Sequence, residues 1–193
     1  MTKTTKTFFT SDLHYSHKRI CEFTDRKLFT TQENHDEWLI DIWNKQVSKS
    51  DLVIHLGDFS FAKDVKDIEN VLDRLNGVKH FIKGNHDYSD NLKSLKQSGH
   101  VSWVGDYREI KIAGNSTVLF HFPIAVWHKQ HYGSFHLHGH SHGNYSISEG
   151  KILDVGLDSA YNILGEHRLF TEEDVLQYMQ NRKVQILDHH VER

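Results

Sequence analysis

The sequence predicts an α/β protein, with a largely parallel sheet first and then a second group of strands joined by tight turns. Three observations lead there. Short apolar runs alternate with helical repeats through the first half of the chain, the pattern of parallel strands linked by crossover helices. Strand-like runs separated by turn residues dominate the second half. Five of the apolar runs end in a compact polar cluster, and open α/β sheets place their sites beyond the carboxyl ends of strands.

Taken in order, residues 7–10 read as a strand running into Asp12. Thr30 and Glu33 have the spacing of a capping box, and Trp38, Leu39, Ile42, Trp43 and Val47 then recur at helical intervals as one buried face. Residues 52–56 form a strand that meets Gly57-Asp58. Val65, Ile68, Val71, Leu72 and Leu75 mark an amphipathic helix, with Gly77 as its stop. Residues 78–82 are a strand ending at Gly84-Asn85-His86-Asp87, and a short helix follows through Leu92 and Leu95 to Gly99. Residues 107–112 and 117–122 suggest a hairpin around Gly114-Asn115. Residues 134–138 lead to Gly139, 151–155 is a further strand, Thr171 opens a last helix, and 184–187 is a final strand. The one proline is Pro123, and no repeat or linker divides the chain, so residues 1–193 are expected to form a single domain.

The five clusters are Asp12-Leu13-His14, Gly57-Asp58, Gly84-Asn85-His86-Asp87, His121, and Gly139-His140-Ser141-His142. Carboxylate, imidazole and carboxamide groups are oxygen and nitrogen ligands of hard to borderline divalent metals. Alternation along a strand would turn Asp12 and His14 toward one side, and His140 and His142 likewise. Asp58 stands alone at its strand end and has two carboxylate oxygens, which suits it to bridge two cations. Two such ions about 3.5–4 Å apart would clamp an in-line displacement at phosphorus.

Composition narrows the class. A 37% hydrophobic and 25% charged chain suits a water-soluble globule. The formal net charge of −3 gives no strong signal for long nucleic acid or an anionic membrane. Cys21 stands alone, which excludes an intramolecular disulfide and a thiolate-rich zinc site. No run approaches the ~20 apolar residues of a membrane span, and no apolar leader follows the polar start with Lys3 and Lys6, so the cytosol is the expected compartment.

The order D-x-H, G-D, G-N-H-D, H, G-H-x-H, from Asp12 to His142, resembles the calcineurin-like metallophosphoesterase superfamily. The opening Ser11-Asp12-Leu13-His14-Tyr15-Ser16-His17 is similar to a small bacterial and phage subgroup. The resemblance implies a four-layer α/β/β/α sandwich of two mixed sheets flanked by helices. It implies one metal on Asp12, His14, Asp58 and His142, and a second on Asp58, Asn85, His121 and His140. It gives His86 the task of assisting the leaving group. The expected reaction is hydrolysis of a small phosphodiester or phosphomonoester, a nucleotide among the candidates, by metal-bound hydroxide. Two divalent ions are implied; ligands lacking thiolate suit manganese first, with iron or zinc as alternatives.

The chain departs from the protein-phosphatase branch. Phe61 and Ala62 stand where that branch carries an Asp that partners the catalytic histidine and an Arg that clamps phosphate, so Asp87 or a backbone carbonyl is expected to orient His86. His17, Trp127 and Tyr132 are candidates for substrate contact, the last two by stacking a nucleobase, with Asn85 serving both metal and substrate. Phe135 reads as core. Among the 17 histidines, His35, His55, His80, His100, His128, His131, His136, His138, His167, His189 and His190 read as packed or surface residues. Asp154 and Asp158 suggest a late strand and turn with no assigned chemistry. A scaffold that had lost its chemistry would be expected to lack ligands or His86, whereas all are present.

Overall fold

The computed structural model describes residues 5–24, 26, 29, 31–145 and 149–187. The elements follow in the order β1 (Thr7–Thr10), α1 (Ile20–Phe23), α2 (Gln32–Gln46), β2 (Leu52–His55), α3 (Val65–Arg74), β3 (Val78–Ile82), α4 (Ser89–Gln97) and β4 (Trp103–Gly105). Then come β5 (Tyr107–Ile112), β6 (Asn115–Phe120), β7 (Phe135–His138), β8 (Ile152–Asp154), α5 (Leu157–Leu164), β9 (Phe170–Thr171) and α6 (Glu172–Gln180), with one 3₁₀ turn at Gln130–Tyr132.

Two mixed sheets result. The first is ordered β4-β3-β2-β1-β9, parallel throughout except for β9. The second is ordered β5-β6-β7-β8, an antiparallel hairpin continued by two parallel pairings. Alternation along the strands of the first sheet sorts its side chains. Phe8, Val53 and Phe81 face a layer containing Leu39 and Trp43 of α2, Leu72 of α3 and Leu95 of α4. Phe9, Ile54 and Ile82 face the second sheet, where Leu119, Leu137 and Leu153 meet them, joined by Val175 and Met179 of α6. The far face of the second sheet carries a smaller cluster of Val118, Ile152 and Trp127, the last contributed by the segment after β6.

Local chemistry explains the helix starts. The Thr31 side chain accepts from the Asn34 amide to cap α2, while Thr30, the expected cap, lies outside the described residues. Asp64 caps α3, and Thr171 with Asp174 forms a reciprocal capping box on α6. Lys3, His189 and His190 also lie outside the described residues. Four elements carry too weak a sequence signal to be read in advance: α1, β4 and β9 are two to four residues long, and α5 spans only eight residues, the first four buried and Tyr161, Asn162 and Ile163 exposed. The expected strand at 184–187 is absent. That stretch pairs with no strand among the described residues, and Val184, Ile186 and Leu187 stay exposed.

His55 at the end of β2 and His136 on β7 are buried, and burial lowers their pKa values from the ordinary 6.5 to about 3 and about 4. Their folded-state values therefore lie below those of the unfolded chain. As pH falls below about 6.5, the unfolded chain binds protons that the folded one refuses, so stability falls. The two together give a slope of at most about 2.7 kcal/mol per pH unit. Urea unfolding at pH 7 and pH 5 is expected to show a clearly lower midpoint at pH 5, and the difference should shrink in His136→Gln.

Candidate metal centre

All five clusters follow strand ends: Asp12 and His14 after β1, Asp58 after β2, Asn85 and His86 after β3, His121 after β6, His140 and His142 after β7. Strand alternation is not what aims them. Asp12 (φ 56°), His14 (56°), Asp58 (59°), His140 (68°) and His142 (47°) all have left-handed backbone, so the side chains are set by turns after the pleat has ended. That conformation costs a non-glycine residue about 1–2 kcal/mol. Its concentration in one site calls for compensating bonds. The Asp12 amide donates to the Gly57 carbonyl (3.0 Å) and the His14 amide to the Asp58 carbonyl (3.2 Å). Gly84 and Gly139 allow the close approach: a Cβ on Gly84 would strike the Asp58 carboxylate, and one on Gly139 would strike Ser11 and Asp12.

Two clusters of ligand atoms form, Asp12–His14–His142 and Asp58–His121–His140. In the first, Asp12 Oδ1 lies 3.7 Å from His14 Nε2 and 3.9 Å from His142 Nε2. Asn85 adds a carboxamide oxygen to the second: its Oδ1 lies 3.0 Å from His121 Nε2 and 2.9 Å from His140 Nδ1. Ligands held about 2.1 Å from a common ion are at most about 4.2 Å apart and about 3 Å apart at a right angle, so these separations fit. The donor inventory agrees. Asp12 Oδ1 and both His14 ring nitrogens are buried without a hydrogen bond, a costly arrangement unless something else satisfies them. His121 Nδ1 stands 2.7 Å from the Leu56 carbonyl, to which it donates, leaving Nε2 as a lone pair facing the Asn85 oxygen and Asp58 Oδ2.

The electrostatics are those of a cation site. Burial alone would raise the Asp12 carboxyl, but the His14, His142 and His121 imidazoles hold it below the ordinary range. Burial would lower His142 and His121, yet Asp158 with Asp12 raises the first and Asp58 with Asp12 raises the second. His14 and His140 are instead lowered, chiefly by burial, so the carboxylates outweigh desolvation at one imidazole of each cluster.

The surrounding shell contains residues that sequence reasoning missed. Asp158 Oδ2 lies 2.8 Å from His142 Nδ1, fixing the ring with Nε2 toward Asp12. The buried Arg26 grips Asp158 with Nε (2.8 Å) and Nη2 (2.9 Å) and also donates to the Asp12 and Leu13 carbonyls. Asp154, pushed up to about 7 by burial and the Asp12 charge, accepts from the Gly143 and Gly156 amides. The sequence marks Asp154 and Asp158 only as a late strand and turn with no assigned chemistry, and nothing around Arg26 points to the site.

Two expectations need correction. The Asp87 carboxylate does not orient His86: it accepts from the backbone amides of Asp58 (2.9 Å), Phe59 (3.0 Å) and Gly84 (2.8 Å), tying two loops together. Trp127 is 7% exposed in the core on the far face of the second sheet and donates to the Ser134 carbonyl, so it is not a stacking platform at the centre. Tyr132 is 81% exposed and packs on His131, and no hydrogen bond or ring contact among the described residues joins it to either cluster. The aromatic rings that do border the centre are Phe61, against His14, His17 and His86, and Phe122, against His121 and His140. His17 stands 5.7 Å from His14, ring to ring, so the structure brings it to the rim. Phe135 is core, as expected.

Replacing Arg26 by Met would leave the Asp158 carboxylate and two carbonyls buried without their main partner. Urea unfolding of the metal-free protein is expected to show a loss of about 3–5 kcal/mol.

Residues 6–158 match the calcineurin-like phosphoesterase superfamily domain. The uncharacterized protein MJ1445 of Methanocaldococcus jannaschii is 30% identical over 141 residues, covering 72% of this chain and 71% of its own. The Gene 66 protein of Mycobacterium phage L5 is 30% identical over 194 residues, covering 85% of this chain and 92% of its own. Among solved structures, the protein of unknown function AQ665 from Aquifex aeolicus shares the fold with a TM-score of 0.68, at 19% identity over 91% of this chain and all of that one. Ordered motifs and the family match over residues 6–158 agree: the chain belongs to the calcineurin-like phosphoesterase superfamily.

Proposed function

We propose that the protein is a dinuclear, metal-dependent phosphoesterase that hydrolyses a small phosphodiester or phosphomonoester, with nucleotides the first class to test. The observation that carries this reading is the placement of Asp58. Its Oδ2 faces His14 Nε2 (3.8 Å) and His121 Nε2 (3.5 Å), one from each cluster, while Oδ1 accepts from the His86 amide (2.8 Å). A single carboxylate oxygen, rather than the two expected from the sequence, thus stands between the clusters.

On this reading Asp12, His14, Asp58 and His142 hold one ion, and Asp58, Asn85, His121 and His140 hold the second. The oxygen and nitrogen donors favour manganese, with iron or zinc as alternatives. When bound, two such ions activate water at neutral pH and neutralise phosphoryl charge. The chain's own residues do the rest. Asp12 and Asp58, each with one oxygen tied to a backbone amide, keep the other aimed inward. His86 projects an exposed ring beside the centre and gives a proton to the departing alcohol oxygen. The water oxygen bonds to phosphorus as the ester P–O bond breaks. His17, at the rim, is placed to meet a phosphoryl oxygen. Phe61 and the buried Ala62 supply no phosphate clamp, so the substrate's charge is left to the ions and histidines. The core shared by both sheets supports reading the chain as one phosphoesterase domain.

Manganese-loaded protein is expected to cleave nitrophenyl phosphoesters, to lose activity to a chelator, and to regain it when metal is restored. Asp58→Ala should lower activity at least about 10³-fold, and His86→Ala about 10²–10⁴-fold, at unchanged fold by circular dichroism. Bound metal should approach two ions per chain. Well-folded, metal-loaded protein that cleaves neither monoesters nor diesters would overturn the proposal.

A further inference from the structure

We infer that Phe61 is the positioning residue for His86, doing by packing what a carboxylate does by hydrogen bonding in the protein-phosphatase branch; this rests on the proposed role of His86. The His86 backbone is fixed, because its amide donates to Asp58 Oδ1 at 2.8 Å. Its ring is not fixed by any hydrogen bond among the described residues, and the next residue, Asp87, spends both carboxylate oxygens on backbone amides. An exposed imidazole on a fixed backbone still rotates about its side-chain torsions, and every misplaced rotamer is lost to proton transfer.

Among the described residues two rings meet that of His86. Phe61 is the nearer, its centroid 4.5 Å from that of His86 at an interplanar angle of 35°, while His14 meets it edge-on at 5.8 Å and 61°. Phe61 is itself held from several directions. Its amide donates to the Tyr15 carbonyl at 2.8 Å, in the loop that carries His14. Its ring stacks on His14 at 5.1 Å and 27°, and meets the His17 ring edge-on at 4.1 Å and 89°. The phenyl ring is therefore a wedge that couples the His86 ring to the buried His14. Being apolar, it restrains His86 without pairing with its charge. Its contribution should therefore appear in the fraction of correctly placed imidazole, a kcat effect rather than a KM effect.

Phe61→Leu keeps the apolar bulk and removes the aromatic face, and Phe61→Tyr restores the face. On a phosphodiester with an alkyl leaving group, which needs a proton, Phe61→Leu is expected to lower kcat about 3- to 10-fold at constant KM, the scale of an aromatic pair. On a nitrophenyl ester, whose leaving group needs little protonation, the loss should stay within about twofold. Phe61→Tyr should recover both values, and Phe61→Leu should cost nothing further in a His86→Ala background. Bound metal should be unchanged. An independent readout needs no turnover: in the metal-free protein the His86 ring protons, assigned with His86→Ala, should be shifted upfield by the phenyl ring current and lose that shift in Phe61→Leu. Equal losses on both leaving groups, a further loss in the His86→Ala background, loss of metal, or unmoved His86 resonances would each overturn the inference. Failure of the wild type to cleave any phosphoester would instead overturn the proposed function, and the resonance measurement would still decide whether Phe61 restrains the ring.

Discussion

The bond on which the site depends is the one between a buried carboxylate oxygen and a backbone amide from a different loop. Asp12 gives one oxygen to the His140 amide, Asp58 gives one to the His86 amide, and Asp87 gives both to the amides of Asp58 and Phe59, one of them also accepting from Gly84 in its own loop. Hydrogen bonds to charged groups stabilise by about 1.5–3 kcal/mol, enough to offset the cost of left-handed backbone at the residues they join. The same bonds decide which oxygen is left over. Asp12 Oδ1 and Asp58 Oδ2 face the clusters because their partners are taken, so fixing the loops and aiming the ligands are one event.

The sheets supply the platform. β1, β2 and β3 run parallel in direct register, which brings three loops to one height, and β6 and β7 do the same in the second sheet. Each cluster then draws on both sheets. Asp12 and His14 come from the first and His142 from the second; Asp58 and Asn85 come from the first, His121 and His140 from the second. The side chains between the sheets, among them Phe9, Ile54, Leu119 and Leu137, therefore set distances within the clusters as well as stabilising the fold. A change in the volume of one of them would be felt at the ligands.

Much of this was legible in the sequence because the signals were local. Strands β1, β2 and β3 are apolar runs that end in polar residues, and the clusters themselves are contiguous, so neither needed knowledge of the fold. What stayed hidden depends on long-range contact or on direction. Arg26 and Asp158 are 132 residues apart, and neither has a pattern around it that announces the other. Trp127 lies in sequence between two ligand motifs, yet the segment after β6 folds it onto the far face of the sheet. Asp87 sits beside His86 in the chain but turns back toward the Asp58 loop. Adjacency in sequence showed which loops build the site and not which way a side chain points.

The division of both clusters between two sheets has a kinetic consequence. Neither half of the sandwich carries a full ligand set, and His142, the last member in chain order, follows β7. A nascent chain or a half-docked intermediate offers only scattered weak donors. Tight ion capture must therefore wait until the sheets have closed on each other. On the ligand assignment proposed above, metal loading becomes a late checkpoint that reports completed folding, and the captured ions act as rivets that slow the sheets from parting again.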